Sequence, residues 1–347
     1  MIRRMALFLC VLLLGGCGNP AASAGNESAA ADESTIDFFA MDTYMSVRAY
    51  GADRALMERI TAMVQSLEGE LSATDGTSAV HALNADRAAE LSEDGGYLLR
   101  RALALCAETG GALDISIYPI VRAWGFTSAD GAYRVPDGEE IAALLRNVDY
   151  SRIRCEGTQA WLPAGMEIDL GAVAKGFTGD KIAALLREAG VESALLDLGG
   201  NIQTVGTKPD GSAWRVAIRS PEGEDILGVI PVADQAVITS GGYERYFVDD
   251  QGRLWWHIMD PFTGYPAQSG LVSVTVVGDE GLYCDALSTA LFILGEGGAI
   301  RFWREHSDFE MALVTAGNEL ILTPGLAAIF TPSDHLPYEI RVITETP

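Results

Sequence analysis

Two oxygen-bearing side chains are placed to share a metal ion. Asp285 and Thr289 are four residues apart in residues 283–294, whose apolar spacing predicts a helix, so both lie on one helical face. A carboxylate and a hydroxyl are ligands suited to a hard cation such as Mg²⁺. Alternatively, Asp285 could cap the helix, which would account for Asp285 but not for its pairing with Thr289.

A lysine in residues 169–177 is a candidate for binding an anion. Asp169 begins the segment, small residues follow, and Lys175 precedes a helix predicted over residues 177–188. Small residues allow a ligand to approach the backbone, and the start of a helix attracts negative charge. A solvated lysine is the alternative.

Three further segments carry polar groups next to predicted strands. Gly199 and Gly200 follow a strand and indicate a tight turn or a phosphate cradle. Residues 239–246 combine two hydroxyls, flexible backbone and two aromatic rings, which could hold a polar ring or a phosphate. His257 stands at a strand end, where it could exchange protons, orient a ligand or be a structural histidine.

The net charge of −24 excludes nucleic acid as a partner. An anionic ligand could bind only where a metal, a lysine or backbone N–H groups compensate this charge.

The chain begins with Arg3 and Arg4, then an apolar run over residues 5–14 that is too short to span a bilayer, then Gly15-Gly16-Cys17. This pattern predicts an export signal and resembles the lipobox of bacterial lipoproteins, in which Cys17 is lipidated; an ordinary cleaved signal is the alternative.

The remaining chain divides into a tether and one folded domain. Residues 1–16 are the predicted lipoprotein signal peptide, and residues 17–35 contain the lipidated cysteine and a polar, flexible tether. Residues 36–347 form the predicted catalytic domain. Strand-like runs cluster in its second half without regularly alternating helices, which favours an α+β class with one large, mostly antiparallel sheet flanked by helices.

The order of these motifs resembles one known family. The segments DLGAVAKGFTGD, LDLGGNIQTVG, ITSGGYERYF, HIMDPFTGYP and DALSTALFILG, with MDTYMSV from Met41 and GALDISIYPIVRAWGF from Gly111, closely resemble the ApbE family, the FAD:protein FMN transferases. The resemblance extends from about Phe39 to at least Gly295 and implies an ApbE-like, T-fold-like α+β domain.

The resemblance implies an exported, membrane-anchored enzyme with FAD as its substrate and Mg²⁺ as its cofactor. Such an enzyme transfers FMN to a Thr or Ser hydroxyl of an acceptor protein, which is typically a subunit of a membrane redox complex, and releases AMP. Hydrolysis of FAD to FMN and AMP, and flavin binding without turnover, are the competing functions. Which membrane is involved stays open.

The family's site residues carry over by position. Metal ligands would be the Ala172 carbonyl, Asp285 and Thr289, with Ser288 as a weaker candidate. The positions that would contact FAD are Met41, Ala112, Leu113, Asp114, Asp169, Lys175, Gly241, Gly242 and Met259. His257 is the candidate base for the incoming hydroxyl, and Asp285 could share that role through the metal.

Two departures from the family pattern are visible. Ser72-Ala73-Thr74 stands where many relatives carry an aromatic ring, which puts FAD affinity and the balance between transfer and hydrolysis in doubt. Asp42 replaces the commoner glycine after Met41, close to the expected site.

Overall fold

A nine-stranded sheet dominates the part of the chain that this computed structural model describes, namely residues 32–128, 131–223 and 225–344. The strands are β1 (Glu33–Ala40), β2 (Thr43–Tyr50), β3 (Ala88–Glu90), β4 (Arg154–Glu156), β5 (Gln159–Trp161), β6 (Ser193–Leu198), β7 (Asn201–Val205), β8 (Trp214–Arg219), β9 (Ile226–Val232), β10 (Ala236–Gly241), β11 (Tyr246–Val248), β12 (Leu254–Trp256), β13 (Leu271–Gly278), β14 (Glu310–Thr315), β15 (Glu319–Leu322), β16 (Thr331–Pro332) and β17 (Glu339–Val342).

The large sheet has the order β1-β2-β6-β7-β10-β13-β14-β15-β17. Neighbouring strands pair antiparallel, except that β15 and β17 are parallel. The other strands form small sheets, β16-β9-β8, β3-β5-β4 and the hairpin β11-β12, within the same compact unit of the chain. The predicted α+β class with a mostly antiparallel sheet is confirmed.

The helices lie mainly in the first half of the fold and around the sheet. They are α1 (Arg54–Leu71), α2 (Ala79–Asp86), α3 (Glu93–Glu108), α4 (Tyr118–Ala123), α5 (Gly138–Leu145), α6 (Gly171–Glu188), α7 (Gly281–His306) and α8 (Pro324–Ile329), with short 3₁₀ turns at Ile115–Ile117 and Tyr150–Arg152. Apolar spacing predicts helices over residues 54–67, 96–107 and 283–294, and α1, α3 and α7 confirm them.

The start of α6 differs from the prediction. The helix begins at Gly171 rather than at residue 177, so Lys175 lies inside its first turns instead of before it. Two glycines in this segment lower its intrinsic helix propensity, which is why the pattern favoured a loop. Burial of Val173, Ala174 and Phe177 stabilises the helix there.

Helices α6 and α7 are fixed on the sheet by apolar side chains. Val274 and Val276 of β13 pack with Leu287 and Leu291 of α7 in one buried cluster. A second cluster joins β2 and β6 to α1 and α6, through residues Val47, Leu196, Ile60, Val64, Ile182 and Leu186. Each fully buried aliphatic side chain stabilises the fold by about 1.5–3 kcal/mol, so both helices are held firmly.

The described part of the chain begins within the predicted tether. Strand β1 begins at Glu33, so the folded part starts before residue 36, where the tether was expected to end. The signal peptide, Cys17 and the rest of the tether lie outside the described residues. Among the described residues, no helix combines the length and the apolar character needed to cross a membrane.

Candidate active site

The first turns of α6 and α7 meet backbone to backbone. A side chain at Gly176 would overlap the carbonyl oxygen of Gly281, and its Cβ would lie 2.7 Å from Cβ of Asp285. Asp180 of α6 accepts hydrogen bonds from the N–H groups of Gly281 (2.7 Å) and Leu282 (2.8 Å), and so caps the start of α7. The two helix starts therefore form one rigid unit.

Asp285 is the carboxylate at the centre of this unit. Its side chain is buried, Oδ2 accepts a hydrogen bond from the Gly176 N–H at 2.8 Å, and Oδ1 accepts one from Asn201 Nδ2 at 3.0 Å. Burial raises the pKa of Asp285, while the charge of Lys175 and the two donors oppose that rise. Because α7 begins at Gly281 after Glu280, the alternative that Asp285 caps its own helix is wrong.

The backbone of α6 brings the Ala172 carbonyl to the same place. In a regular helix, the N–H of residue 176 is directed at the carbonyl of residue 172. That N–H also donates to Asp285 Oδ2, so helix geometry directs the Ala172 carbonyl towards the side of α6 that faces Asp285. Binding of one metal ion by these two oxygens stays a prediction.

Hydroxyl groups continue this oxygen-rich region along α7. Ser240 Oγ of β10 lies 2.7 Å from Ser288 Oγ and 3.3 Å from Thr289 Oγ1. Ser288 also donates to the carbonyl of Asp285 at 2.8 Å, so its hydroxyl is engaged on two sides. Thr289, which shares the helical face of Asp285, is the freer oxygen ligand.

These oxygens match the chemistry of a magnesium site. One carboxylate, one backbone carbonyl and one or two hydroxyls form a donor set of oxygen alone, as hard cations prefer. Among residues 32–128, 131–223 and 225–344, no group of three or more His, Cys, Asp or Glu side chains could hold a metal. Metal binding here would therefore depend on the single carboxylate of Asp285.

His257 follows β12 and is fixed by one carbonyl group. The carbonyl oxygen of Arg245 accepts the backbone N–H of His257 at 3.0 Å and lies 3.3 Å from ring atom Nδ1. Burial, together with the charges of Arg245 and Lys175, lowers the pKa of His257 to about 4. The ring is therefore neutral at pH 7, and donation from Nδ1 to the carbonyl would leave Nε2 as a proton acceptor.

Asp169 lies just before α6 and is tied to the segment 112–115. Its N–H donates to the carbonyl of Ile115 at 2.8 Å, and its Oδ1 accepts from the N–H of Gly171 at 2.9 Å. Burial raises its pKa, and the charges of Lys175 and Arg245 act in the opposite direction. The positive charges of Lys175 and Arg245 therefore both stabilise the ionised form of Asp169.

The segment 112–114, which is also predicted to bind FAD, is buried and hydrogen-bonded within the protein. Ala112 and Leu113 are buried in the largest apolar cluster. Asp114 accepts from the Ser116 N–H (2.8 Å), the Ser116 hydroxyl (2.6 Å) and the Tyr150 N–H (3.2 Å), and burial raises its pKa. Contact between this segment and FAD stays a prediction.

Met41, Met259 and the two glycines after β10 also have structural roles. Met41 lies in a hairpin turn, and Met259 is buried in a cluster with Ile120 and Trp124. A Cβ at Gly241 would collide with the ring of Tyr243, and one at Gly242 would lie 2.8 Å from the ring of Trp256. Packing thus accounts for both glycines, and the predicted approach of FAD to their backbone stays a prediction.

Gly199 and Gly200 form the turn of the β6–β7 hairpin. Leu198 pairs with Asn201, and the φ angles of the two glycines are 69° and 93°. Positive φ at both central positions is typical of a type I′ turn, which favours glycine. The tight-turn interpretation is confirmed, and the turn delivers Asn201 to Asp285.

Sequence reasoning missed several residues that the fold brings to the site. Asn201 and Arg245 lie in segments that the motifs singled out, but no pattern assigned them a role, and the Ser240 hydroxyl was predicted to hold a polar ring or a phosphate rather than to contact Ser288 and Thr289. Hydrogen bonds between distant parts of the chain, such as that between Asn201 and Asp285, leave no periodic signal in a single sequence. A polar side chain directly after a tight glycine turn is the only hint that was present.

Comparison with known proteins places the chain in a family. The model of the ApbE family matches residues 41–313. An FAD:protein FMN transferase from Klebsiella pneumoniae (strain 342) is 32% identical to this chain, over 85% of this chain and 93% of that protein. One from Treponema pallidum (strain Nichols) is 35% identical, over 93% of this chain and 94% of that protein.

Solved structures agree with this result. The ApbE protein of Thermotoga maritima superposes with a TM-score of 0.80 at 28% identity, over 86% of this chain and 100% of that one. The flavin transferase ApbE from Vibrio cholerae gives a TM-score of 0.77 at 25% identity, over 86% and 99% of the two chains. This chain therefore belongs to the ApbE family.

Proposed function

We propose that this protein transfers FMN from FAD to a Thr or Ser hydroxyl of an acceptor protein, releasing AMP, with Mg²⁺ as its cofactor. The names of its relatives support the overall reaction. The observation that carries the proposal is the buried carboxylate of Asp285, which the Gly176 N–H and Asn201 Nδ2 hold in place by hydrogen bonds. Among the described residues this acid forms no salt bridge, so a metal ion could balance its buried charge.

The metal would be held by Ala172 O, Asp285 and Thr289, and Ser288 is less suited because its hydroxyl is already engaged. When bound, Mg²⁺ supplies positive charge that neutralises the pyrophosphate of FAD. A chain with a net charge of −24 needs such compensation to bind a pyrophosphate. Lys175 would contribute to this compensation, because its positive charge acts on the pKa values of Asp169, His257 and Asp285.

The chemistry assigned to the protein's own residues is proton transfer and positioning. The acceptor hydroxyl oxygen attacks the phosphorus of the FMN half, and the bond between that phosphorus and the bridging oxygen breaks. AMP leaves with the bonding electrons, and the hydroxyl proton passes to Nε2 of neutral His257. The ring is prepared for this role because burial and nearby cations keep it unprotonated at pH 7.

An assay with three readouts tests the proposal. The protein is incubated with FAD, Mg²⁺ and a peptide or carrier protein bearing Thr and Ser. Covalent flavin fluorescence on the acceptor with an equal amount of AMP supports transfer. FMN and AMP without labelled acceptor would show a pyrophosphatase instead, and intact bound FAD would show a flavin-binding protein; either result overturns the proposal.

A pair of variants tests the metal site within the same assay. Asp285→Asn removes the only carboxylate of the proposed donor set, and turnover should fall by at least about a hundredfold, the loss of several kcal/mol of charge stabilisation. Glu188→Gln, at the exposed end of α6, removes the same charge about 18 Å along the helix from Gly176 and should leave turnover unchanged. Equal activity in the two variants would refute the metal assignment.

The cellular setting of this reaction is a further part of the proposal. Arg3, Arg4, the apolar run and Cys17 support export and attachment to a membrane through a lipid. The acceptor would then be an extracytoplasmic protein, such as a subunit of a membrane redox complex. Cys17→Ser should shift the protein from the membrane fraction to the soluble fraction, and an unchanged distribution would refute the anchor.

A further inference from the structure

Arg245 connects two parts of the site that are far apart in the chain. Its guanidinium Nη2 lies 3.4 Å from Oδ2 of Asp42, at the tip of the β1–β2 hairpin. Its backbone carbonyl binds His257, as described above. Arg245 therefore links the proposed base, through its backbone, to the tip of the β1–β2 hairpin, through its side chain.

The partner of Arg245 is held in a defined position. Ala40 pairs with Thr43, which leaves Met41 and Asp42 as the two turn residues, with φ angles of 49° and 59°. The N–H of Met41 donates to Glu68 of α1 at 2.6 Å. Left-handed φ is costly for most side chains, and aspartate tolerates it better than methionine does. The carboxylate of Asp42 thus stands on a fixed turn.

Arg245 is also within electrostatic reach of the groups that Lys175 influences. Both cations lower the pKa of His257, and both oppose the raised pKa of Asp169. The side chain of Arg245 is 48% exposed, so a ligand in solution can reach it. Two cations thus act on the same two site residues in a strongly acidic protein.

We propose that Arg245 is a second phosphate-binding residue of this site, and that Asp42 holds its guanidinium until an anionic ligand replaces the carboxylate. The guanidinium can bind a phosphate through two parallel hydrogen bonds, which a lysine cannot do. FAD carries two phosphates, so Lys175 and Arg245 can each serve one. This inference rests on the proposed function, because it names residues for the ligand of that site.

The proposal predicts opposite effects for the two partners. Arg245→Gln removes a charge-assisted contact, and the Kd for FAD should rise about tenfold. Asp42→Asn frees the guanidinium from an exposed ion pair, and the Kd for FAD should fall about two- to fivefold. In the double variant, the gain from Asp42→Asn should be largely lost, because no guanidinium remains to be released.

FAD titrations followed by flavin fluorescence, at low and at high salt, provide the test. Arg245→Gln should weaken the salt dependence of FAD affinity, a result that a purely structural role would not produce. Arg215 is an exposed cation on β8, so Arg215→Gln controls for the loss of one positive charge. It should change neither the Kd for FAD nor its salt dependence appreciably. Denaturation curves confirm that each variant is folded.

Each outcome decides between the claims. Unchanged FAD affinity in Arg245→Gln, or weaker affinity in Asp42→Asn, overturns the assignment of Arg245 and leaves the proposed function intact. Absence of FAD binding by the unaltered protein overturns the proposed function and this inference with it. A tenfold loss with reduced salt dependence supports Arg245 as a ligand of the phosphates.

Discussion

Replacing Gly176 with alanine tests whether the close approach of α6 and α7 builds the site. On an exposed helix, Gly→Ala stabilises a protein by about 1 kcal/mol because alanine has the higher helix propensity. At Gly176 the new Cβ would overlap the carbonyl oxygen of Gly281 and lie 2.7 Å from Cβ of Asp285. One of these contacts is to backbone, so the helices must separate.

The magnitude follows from these opposing effects. Overpacking of a tight core position costs about 1–3 kcal/mol, and occasionally more when backbone must move. With backbone atoms involved we take the upper end and subtract the propensity gain, so the free energy of unfolding should fall by about 2 kcal/mol. The displacement should also pull Asp285 away from the Gly176 N–H.

The matched control is Gly69→Ala in α1, where a Cβ would meet no atom within 4 Å. This variant should gain up to about 1 kcal/mol, so the two variants should differ by about 3 kcal/mol. Urea denaturation measures both values, and FMN transfer at low temperature reports on the site. A Gly176→Ala protein that is as stable and active as the Gly69→Ala protein would refute the reasoning.

Three other variants test the remaining contacts of the site. Asn201→Ala leaves Oδ1 of Asp285 without its donor, so transfer should fall by about tenfold or more while the protein stays folded; unchanged kinetics would show that this hydrogen bond does not orient the acid. Asp180→Asn weakens the cap of α7 and should lower the free energy of unfolding by about 1–3 kcal/mol in urea, whereas a neutral effect would mean that the cap contributes nothing. Because the fold lowers the pKa of His257 from 6.5 to about 4, the protein binds fewer protons folded than unfolded between these values, and its stability should decline as pH falls through that range. His257→Gln should make the decline shallower in denaturation curves measured across that range, and an identical slope would contradict the lowered pKa.

The local elements of this protein could largely be predicted from its sequence. Apolar spacing indicated α1, α3 and α7. Alternation or apolar runs predict strands over residues 44–49, 193–198, 214–218, 228–232, 236–239 and 273–277, where the structure has β2, β6, β8, β9, β10 and β13. The turn residues Asp249-Asp250-Gln251-Gly252 predict a hairpin, which β11 and β12 form. These signals are local, because periodic burial and turn geometry depend on residues a few positions apart.

The beginning of α6 and the contacts of Arg245 depended on the tertiary structure. Residues 171–176 contain glycines that disfavour a helix, and packing against α7 overrides that preference. Arg245 reaches Asp42 across 203 positions of sequence, a distance at which no local pattern operates.

The sequence by itself determined which residue types are available for the chemistry and on which faces they lie, including the spacing of Asp285 and Thr289. Only the tertiary structure decided that Gly176 and Asn201 both donate to Asp285 and that Asp180 caps α7. The physical reason is that hydrogen bonds and charges act over a few ångströms in space, and folding alone brings distant residues within that range.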